Sequence, residues 1–231
     1  MRILFDNLIF NATLSADTVD ANYPITNLQN DSLKKIYKAT QASAVITATL
    51  SEDSSINSVY IGYTNAAGAV LAMYNSSGTL LGTKTITVTR GGLSFTSVSD
   101  VSYVTLTLSG SDIIYLGGFG LGYNFTMPNP VNDLILKPID NSVVNYSLDG
   151  QLYQNKVDLL FYIEPTYSFE SVDTYNEILL KFSDLEHPAW VEPYEENTGI
   201  INPMWCKITM GDDPTQTWGW YSWTHTYREV R

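Results

Sequence analysis

The chain has 231 residues, enough for one large β domain or two small ones, each able to bury a core. Apolar residues make up 44% and charged residues only 16%, and the formal net charge is −12. That balance excludes the clustered Lys and Arg of a nucleic-acid footprint, and it argues against anionic membrane surfaces.

Residues 1–15 open with an apolar strand. Asp6 and Asn7 interrupt it, so it is too short for the core of a signal peptide. No apolar run approaches the roughly 20 residues of a membrane span. The expectation is synthesis in the cytoplasm and no membrane insertion. Residues 17–40 read as a loop, with Asn27, Asn30 and Asp31 as turn formers. From Ser43 an alternating pattern begins, with strands expected near 43–50, 58–63, 69–74, 83–88, 101–108 and 113–122. Short β-rich runs at this interval, separated by Gly- and Asn-containing turns, indicate an antiparallel sandwich or barrel. The run 51–55, Ser-Glu-Asp-Ser-Ser, reads as a turn whose oxygens would also suit calcium.

The stretch 116–130, Leu-Gly-Gly-Phe-Gly-Leu-Gly-Tyr-Asn-Phe-Thr-Met-Pro-Asn-Pro, divides the chain into expected modules 1–127 and 131–231. Its glycines do not have nucleotide-loop spacing and no helix follows. They suit a bulge or a close backbone approach instead. Beyond it, strands are expected near 134–138, 145–152 and 157–163, then a helix over 172–186. Val172, Tyr175, Ile178, Leu179, Phe182 and Leu185 form its apolar stripe, and Pro188 stops it. Two strands, 204–210 and 220–230, close a small α+β module.

No catalytic constellation or metal-ligand spacing stands out, and no cofactor is expected. His187 and His225 lie in different elements, without a nucleophile elbow. Glu192, Glu195 and Glu196 lie among Trp190 and Tyr194, the composition of a glycosidase cleft but also of a solvated loop. Cys206, alone in an apparent strand, reads as an inert buried thiol. The aromatic residues of the final strand, Trp218, Trp220, Tyr221, Trp223 and Tyr227, together with Trp190, suit packing within the module or an assembly interface. Tyr63 and Arg90 are the candidates for sugar contact at the sandwich's loop end.

Residues 1–127 resemble the galactose-binding-like (discoidin-type) β-sandwiches of tailed-bacteriophage virion proteins. The likeness rests on Asn11-Ala-Thr-Leu-Ser-Ala, Asn22-Tyr-Pro-Ile-Thr-Asn-Leu, Ser55-Ile-Asn-Ser-Val-Tyr-Ile-Gly-Tyr and the closing Tyr115-Leu-Gly-Gly-Phe-Gly-Leu-Gly-Tyr. Tyr37 stands where that family often has Trp. Residues 131–231 resemble, more weakly, the β-barrel domains of distal-tail and tail-tube proteins. These resemblances imply a structural tail component made in a bacterial host. Its C-terminal module would assemble with copies of itself and other virion proteins, and its sandwich would face outward. A carbohydrate-binding host-adsorption protein is the alternative, with host-surface glycans as partners; a glycosidase is the third reading.

Overall fold

The structure is a computed structural model, which describes residues 1–127, 137–139, 143–146, 152–155, 160–169, 172–183, 185, 187–193, 203–210, 215–217 and 220–230. It is mainly β, with antiparallel sheets and one α-helix. In chain order the strands are β1 (Arg2–Leu4), β2 (Thr13–Ala16), β3 (Tyr37–Lys38), β4 (Ser43–Thr64), β5 (Gly68–Tyr74), β6 (Leu80–Ile86), β7 (Gly92–Ser109), β8 (Tyr115–Gly122) and β9 (Phe125–Thr126). Then come β10 (Lys137–Ile139), β11 (Val143–Tyr146), β12 (Leu152–Asn155), β13 (Leu160–Ile163), β14 (Thr166–Phe169), helix α1 (Val172–Ser183), β15 (Ala189–Glu192), β16 (Met204–Met210), β17 (Thr215–Thr217) and β18 (Trp220–Glu229). The chain forms two compact units: Met1–Met127 with Leu185–Trp205, and Pro128–Asp184 with Cys206–Val230. The first unit therefore takes in the His-Pro-Ala-Trp segment, which the sequence pattern groups with the second module.

The first unit is built on a long β4–β7 ribbon. Residues 43–49 of β4 pair with 103–109 of β7, and 58–60 pair with 92–94. Register shifts lie between these blocks, within 49–58, and bulges of this kind bend and twist a strand. Before the bend the ribbon is flanked by β2 and β5, with β6 beyond; after it the neighbour is β8, with β3 beyond. One ribbon thus supplies both layers of the sandwich. The alternation in β4 places Ala44, Ile46 and Ala48 inward before the bend and Val59 and Ile61 inward after it. They meet Leu71, Met73, Val104, Leu106, Phe119 and Leu121 in one core. The run 51–55 is strand, not turn, and Asp53 there accepts a hydrogen bond from Ser102 Oγ.

Within 17–40 the chain is irregular but pinned. Gln29 Nε2 donates to the carbonyls of Ile9, Phe10 and Ala12 at 2.9, 3.2 and 2.7 Å. Asn7, buried, donates to Phe119 O at 3.1 Å and accepts from Leu121 N at 3.0 Å, which ties the N-terminal segment to β8.

The outer face of the second layer explains the glycine run. Ser58, Tyr60 and Gly62 of β4 lie opposite Gly122, Gly120 and Gly118 of β8. Strand β15 pairs with β1, and β1 with β9. This places Trp190 (3% exposed) over the glycines. A Cβ built on Gly62, Gly118 or Gly120 would come within 2.6, 3.0 or 2.4 Å of the Trp190 ring. The indole also stacks on Tyr60, with centroids 5.6 Å apart and planes at 12°, and meets Trp205 at 5.3 Å. Trp190 is therefore spent on packing within its own unit, which corrects its assignment to an assembly surface. Nearby, His187 Nδ1 lies 2.8 Å from Asp31 Oδ1 and its ring stacks on Phe10 at 4.2 Å. Trp205 Nε1 donates to Asp31 O at 2.8 Å.

In the second unit, β18 is the central strand. One of its edges takes β13 and then β14; the other takes β16 and then β17. The expected helix is present as α1, and it buries Ile178 and Phe182. Tyr227 of β18 is fully buried, with Phe182 at 6.4 Å, so it too is a core residue and not an assembly surface. Cys206 is a buried free thiol; burial, and secondarily Glu229, push its pKa well up, which disfavours the reactive thiolate. The backbones of Trp220, Tyr221, Trp223 and His225 lie in β18, whereas Trp218, Tyr194, Glu195 and Glu196 fall outside the described residues.

The groove yields a coupled prediction. Gly120→Ala should destabilise the first unit by about 1–3 kcal/mol through overpacking, and Trp190→Ala by about 3–5 kcal/mol. In the Trp190→Ala background, Gly120→Ala should cost less than about 0.5 kcal/mol, a coupling readable from urea unfolding of the four chains. Additive costs would show that the indole is not what the glycines accommodate.

Candidate functional site

A polar depression of about 410 Å³ opens in the first unit, lined by Arg2, Asn57, Ser94, Phe95, Thr96, Asn124 and Thr126. Four strands supply it. Arg2 comes from β1, Asn57 from β4 just past its bend, Ser94 to Thr96 from the start of β7, and Thr126 from β9. Asn124 sits between β8 and β9. It is placed there because the β9–β1–β15 strip lies over the outer face of the sandwich, held by the Trp190 groove.

Beneath the lining residues runs a buried polar network. Glu192, the last residue of β15, is 3% exposed. Its Oε1 accepts from Arg90 Nη2 at 2.8 Å, and its Oε2 accepts from Ser94 Oγ at 3.2 Å. Arg2 Nη1 lies 3.8 Å from Oε2, within ion-pair range but beyond a hydrogen bond. Asn124 Nδ2 donates to Tyr60 Oη at 2.5 Å and to Ser94 Oγ at 2.9 Å, and Asn124 N donates to Asn57 Oδ1 at 2.7 Å. Burial, and secondarily the Glu192 charge, push the Tyr60 phenol well above its ordinary value.

Two polar atoms of this network have no hydrogen-bond partner: Arg2 Nη1 and Asn124 Oδ1. Asn124 is 5% exposed. Turning its amide end for end would leave Nδ2 over in place of Oδ1, so either orientation keeps one end unmatched. A buried polar group without a partner costs about 1–3 kcal/mol. Both belong to side chains that line the depression, so an entering polar ligand can supply what the chain does not. The lining offers hydroxyls, amides and one guanidinium; Phe95 packs against the core and carries Lys84 Nζ 5.0 Å from its ring centre.

The residues expected from sequence fall as follows. Arg90 borders this network through Glu192. Tyr63 is exposed (54%), holds a left-handed backbone at φ 51°, and its ring lies 5.7 Å from that of Tyr115. The two thus have different neighbours. Glu192, the one described member of the acidic cluster, is a buried ion-pair partner with both oxygens engaged. Arg2, Asn57, Ser94, Asn124 and Thr126 are absent from the sequence reading. The one local signal was Arg2, a charge inside an otherwise apolar strand. Among the described residues no group of three or more His, Cys, Asp or Glu is placed to hold a metal ion, and no helix is long and apolar enough to cross a membrane.

No protein-family model matches the chain, and no curated protein does. Solved structures do resemble part of it. Chitosan-binding module 1 of the chitosanase/glucanase from Paenibacillus sp. IK-5 is 19% identical with a TM-score of 0.44, covering 51% of this chain and 99% of that one. The lectin domain of lectinolysin, complexed with Lewis B antigen, is 12% identical with a TM-score of 0.43, covering 50% and 95%. A Streptococcus pneumoniae fucose binding module is 12% identical with a TM-score of 0.41, covering 51% and 94%. At such identities residue roles do not carry over from one chain to another, and none of the three names a virion protein.

The buried phenol gives a sign-definite test. The folded state holds the Tyr60 proton more tightly than the unfolded chain, whose tyrosines titrate near pH 10. Its contribution is complete below about pH 10 and is lost as pH rises further. Urea midpoints followed from pH 8 to 12 should fall above pH 10, and less steeply in Tyr60→Phe; identical profiles would remove Tyr60 from the account.

Proposed function

We propose that this chain binds glycans, with the Arg2–Asn57–Ser94–Asn124 depression of its first unit as the sugar site. The carrying observation is the pair of buried, unmatched polar atoms, Arg2 Nη1 and Asn124 Oδ1, on two side chains that line a preformed polar hollow. The size falls in the range of small-molecule sites. Sugars present hydroxyls that both donate and accept, and one weakly polar ring face. The lining matches the hydroxyls with Ser94, Thr96, Thr126 and the two amides. No catalytic step is part of this reading.

A second reading, a structural tail component with copies of itself and other virion proteins as partners, has one observation in its favour. The outward face of the first layer carries Thr13, Ser15, Val45, Thr47, Thr49, Val70, Ala72, Tyr74, Thr83, Thr85, Tyr103, Thr105 and Thr107, as the pairing registers and alternating burial require. Among the described residues the one charge in line with it is Asp17, which pairs with Val45 at its edge, although the chain carries −12. Depletion of charge is a mark of interface cores.

Two measurements test these readings. Asn124→Ala should weaken binding of its best glycan about tenfold, the worth of one or two hydrogen bonds, in titration calorimetry after a glycan-array screen; a chain that retains no glycan ends the first reading. Sedimentation of the chain with Thr47→Lys and Thr105→Glu, against the unaltered chain, should show loss of self-association if the threonine-lined face is an assembly surface. An unaltered chain that stays monomeric at high concentration removes self-assembly from the second reading.

A further inference from the structure

The charges around the depression do not balance, and the imbalance points to the kind of sugar. Among the described residues, four charged groups lie at or beside it: Arg2, Arg90, Glu192 and Lys84, whose Nζ sits 5.0 Å from the centre of the Phe95 ring. Arg90 faces Glu192 Oε1 at 2.8 Å, and Ser94 occupies Oε2. Among the described residues the one carboxylate there is thus engaged by Arg90 and Ser94, which leaves Arg2 the longer contact. Arg2 sits 3.8 Å from Glu192 Oε2 without a hydrogen bond, its Nη1 buried and unmatched. Among the described residues no carboxylate lines the hollow. A guanidinium held in a partly buried wall is stabilised most by an anion that accepts its N–H groups, and a planar carboxylate fits that fork. The unmatched amide of Asn124 lies on the same wall and suits a sugar hydroxyl.

We infer that the glycan recognised at this site is acidic, a uronate whose carboxylate pairs with Arg2 while its hydroxyls meet Asn124 and Thr96. This rests on the glycan-binding reading above. The same chemistry explains why a chain of net charge −12 would keep a cation inside a polar hollow: it offsets the long-range repulsion of an anionic ligand by a short-range contact.

The test compares oligogalacturonate and oligoglucuronate with neutral galactose and glucose oligomers of equal length, and with a sulfated oligomer, on the full chain by calorimetry. The acidic sugars should bind at least tenfold more tightly than their neutral counterparts, and their affinity should fall as salt is raised from 20 to 300 mM. Arg2→Gln should erase the preference, so that the ratio of acidic to neutral affinity falls to about one. Arg2→Lys, which keeps the charge but not the fork, should retain part of it, and Glu192→Gln should widen it. An unchanged circular dichroism spectrum and a single cooperative unfolding transition confirm that each variant folds. Equal binding of neutral and acidic oligomers overturns the uronate inference and leaves the glycan reading standing. Binding of the sulfated oligomer above both uronates overturns the carboxylate in favour of a sulfate. Binding of none overturns the glycan reading itself.

Discussion

The first unit depends on the fit between one indole and three glycines. Gly62, Gly118 and Gly120 strip side chains from the outer face of two neighbouring strands, and Trp190 occupies the resulting groove. The arrangement reverses the usual economy of a sheet face. A glycine inside a strand weakens it through entropy and lost packing, so three on one face are a local cost. That cost is offset because a large aromatic side chain from residues far along the chain is buried almost completely, stacked on Tyr60 and set against Trp205. A second consequence is covalent reach. The segment 185–205 is brought to the sandwich formed by 1–127, although 57 residues separate 127 from 185.

The candidate site follows from that docking. Strand β15 carries Trp190 and Glu192 two residues apart, so both point to the same side of the strip. Fixing the indole therefore fixes the carboxylate. Glu192 then gathers Arg90 and Ser94 from the sandwich and draws near Arg2 from β1. Tyr60 links the two halves physically: its ring stacks on Trp190 and its hydroxyl meets Asn124. The packing anchor and the polar floor share residues, which makes the hollow a preformed feature of the fold. A preformed hollow spends less of its binding free energy on ordering side chains.

How much of this was legible in the sequence divides along physical lines. Local alternation revealed β5 and the first part of β4, because one face of each is buried and the period is two, while β8, buried on both faces, showed as large residues alternating with glycine. The helix was visible from its stripe and from Pro188. The join of the two halves of β4 was hidden, because Ser-Glu-Asp-Ser-Ser has turn composition while the bulged ribbon keeps it paired. Residues 92–100 of β7 were missed for the same reason. The glycine run was readable as a close approach, but its partner was not. Nothing local in Trp-Val-Glu-Pro says that it will lie across β8, and the aromatic character of Trp190 suited an outer interface equally well. The polar hollow was least legible of all. Arg2, Asn57, Ser94 and Asn124 are ordinary residues at scattered positions, and only the docking of β1 and β15 makes them neighbours.

Glycan binding and assembly need not compete. A hollow that contributes a few hydrogen bonds and one charged contact supplies affinity near the millimolar range, about −4 kcal/mol. Such contacts hold a surface only when several act together, since linked sites raise the effective concentration by orders of magnitude. If the hollow binds sugar as proposed, a weak site would ask for repetition, and assembly through the threonine-lined face of the same unit would provide it. The two would then be parts of one adhesive design. The strength of attachment would then scale with copy number, because the hollow is too small to add contacts of its own.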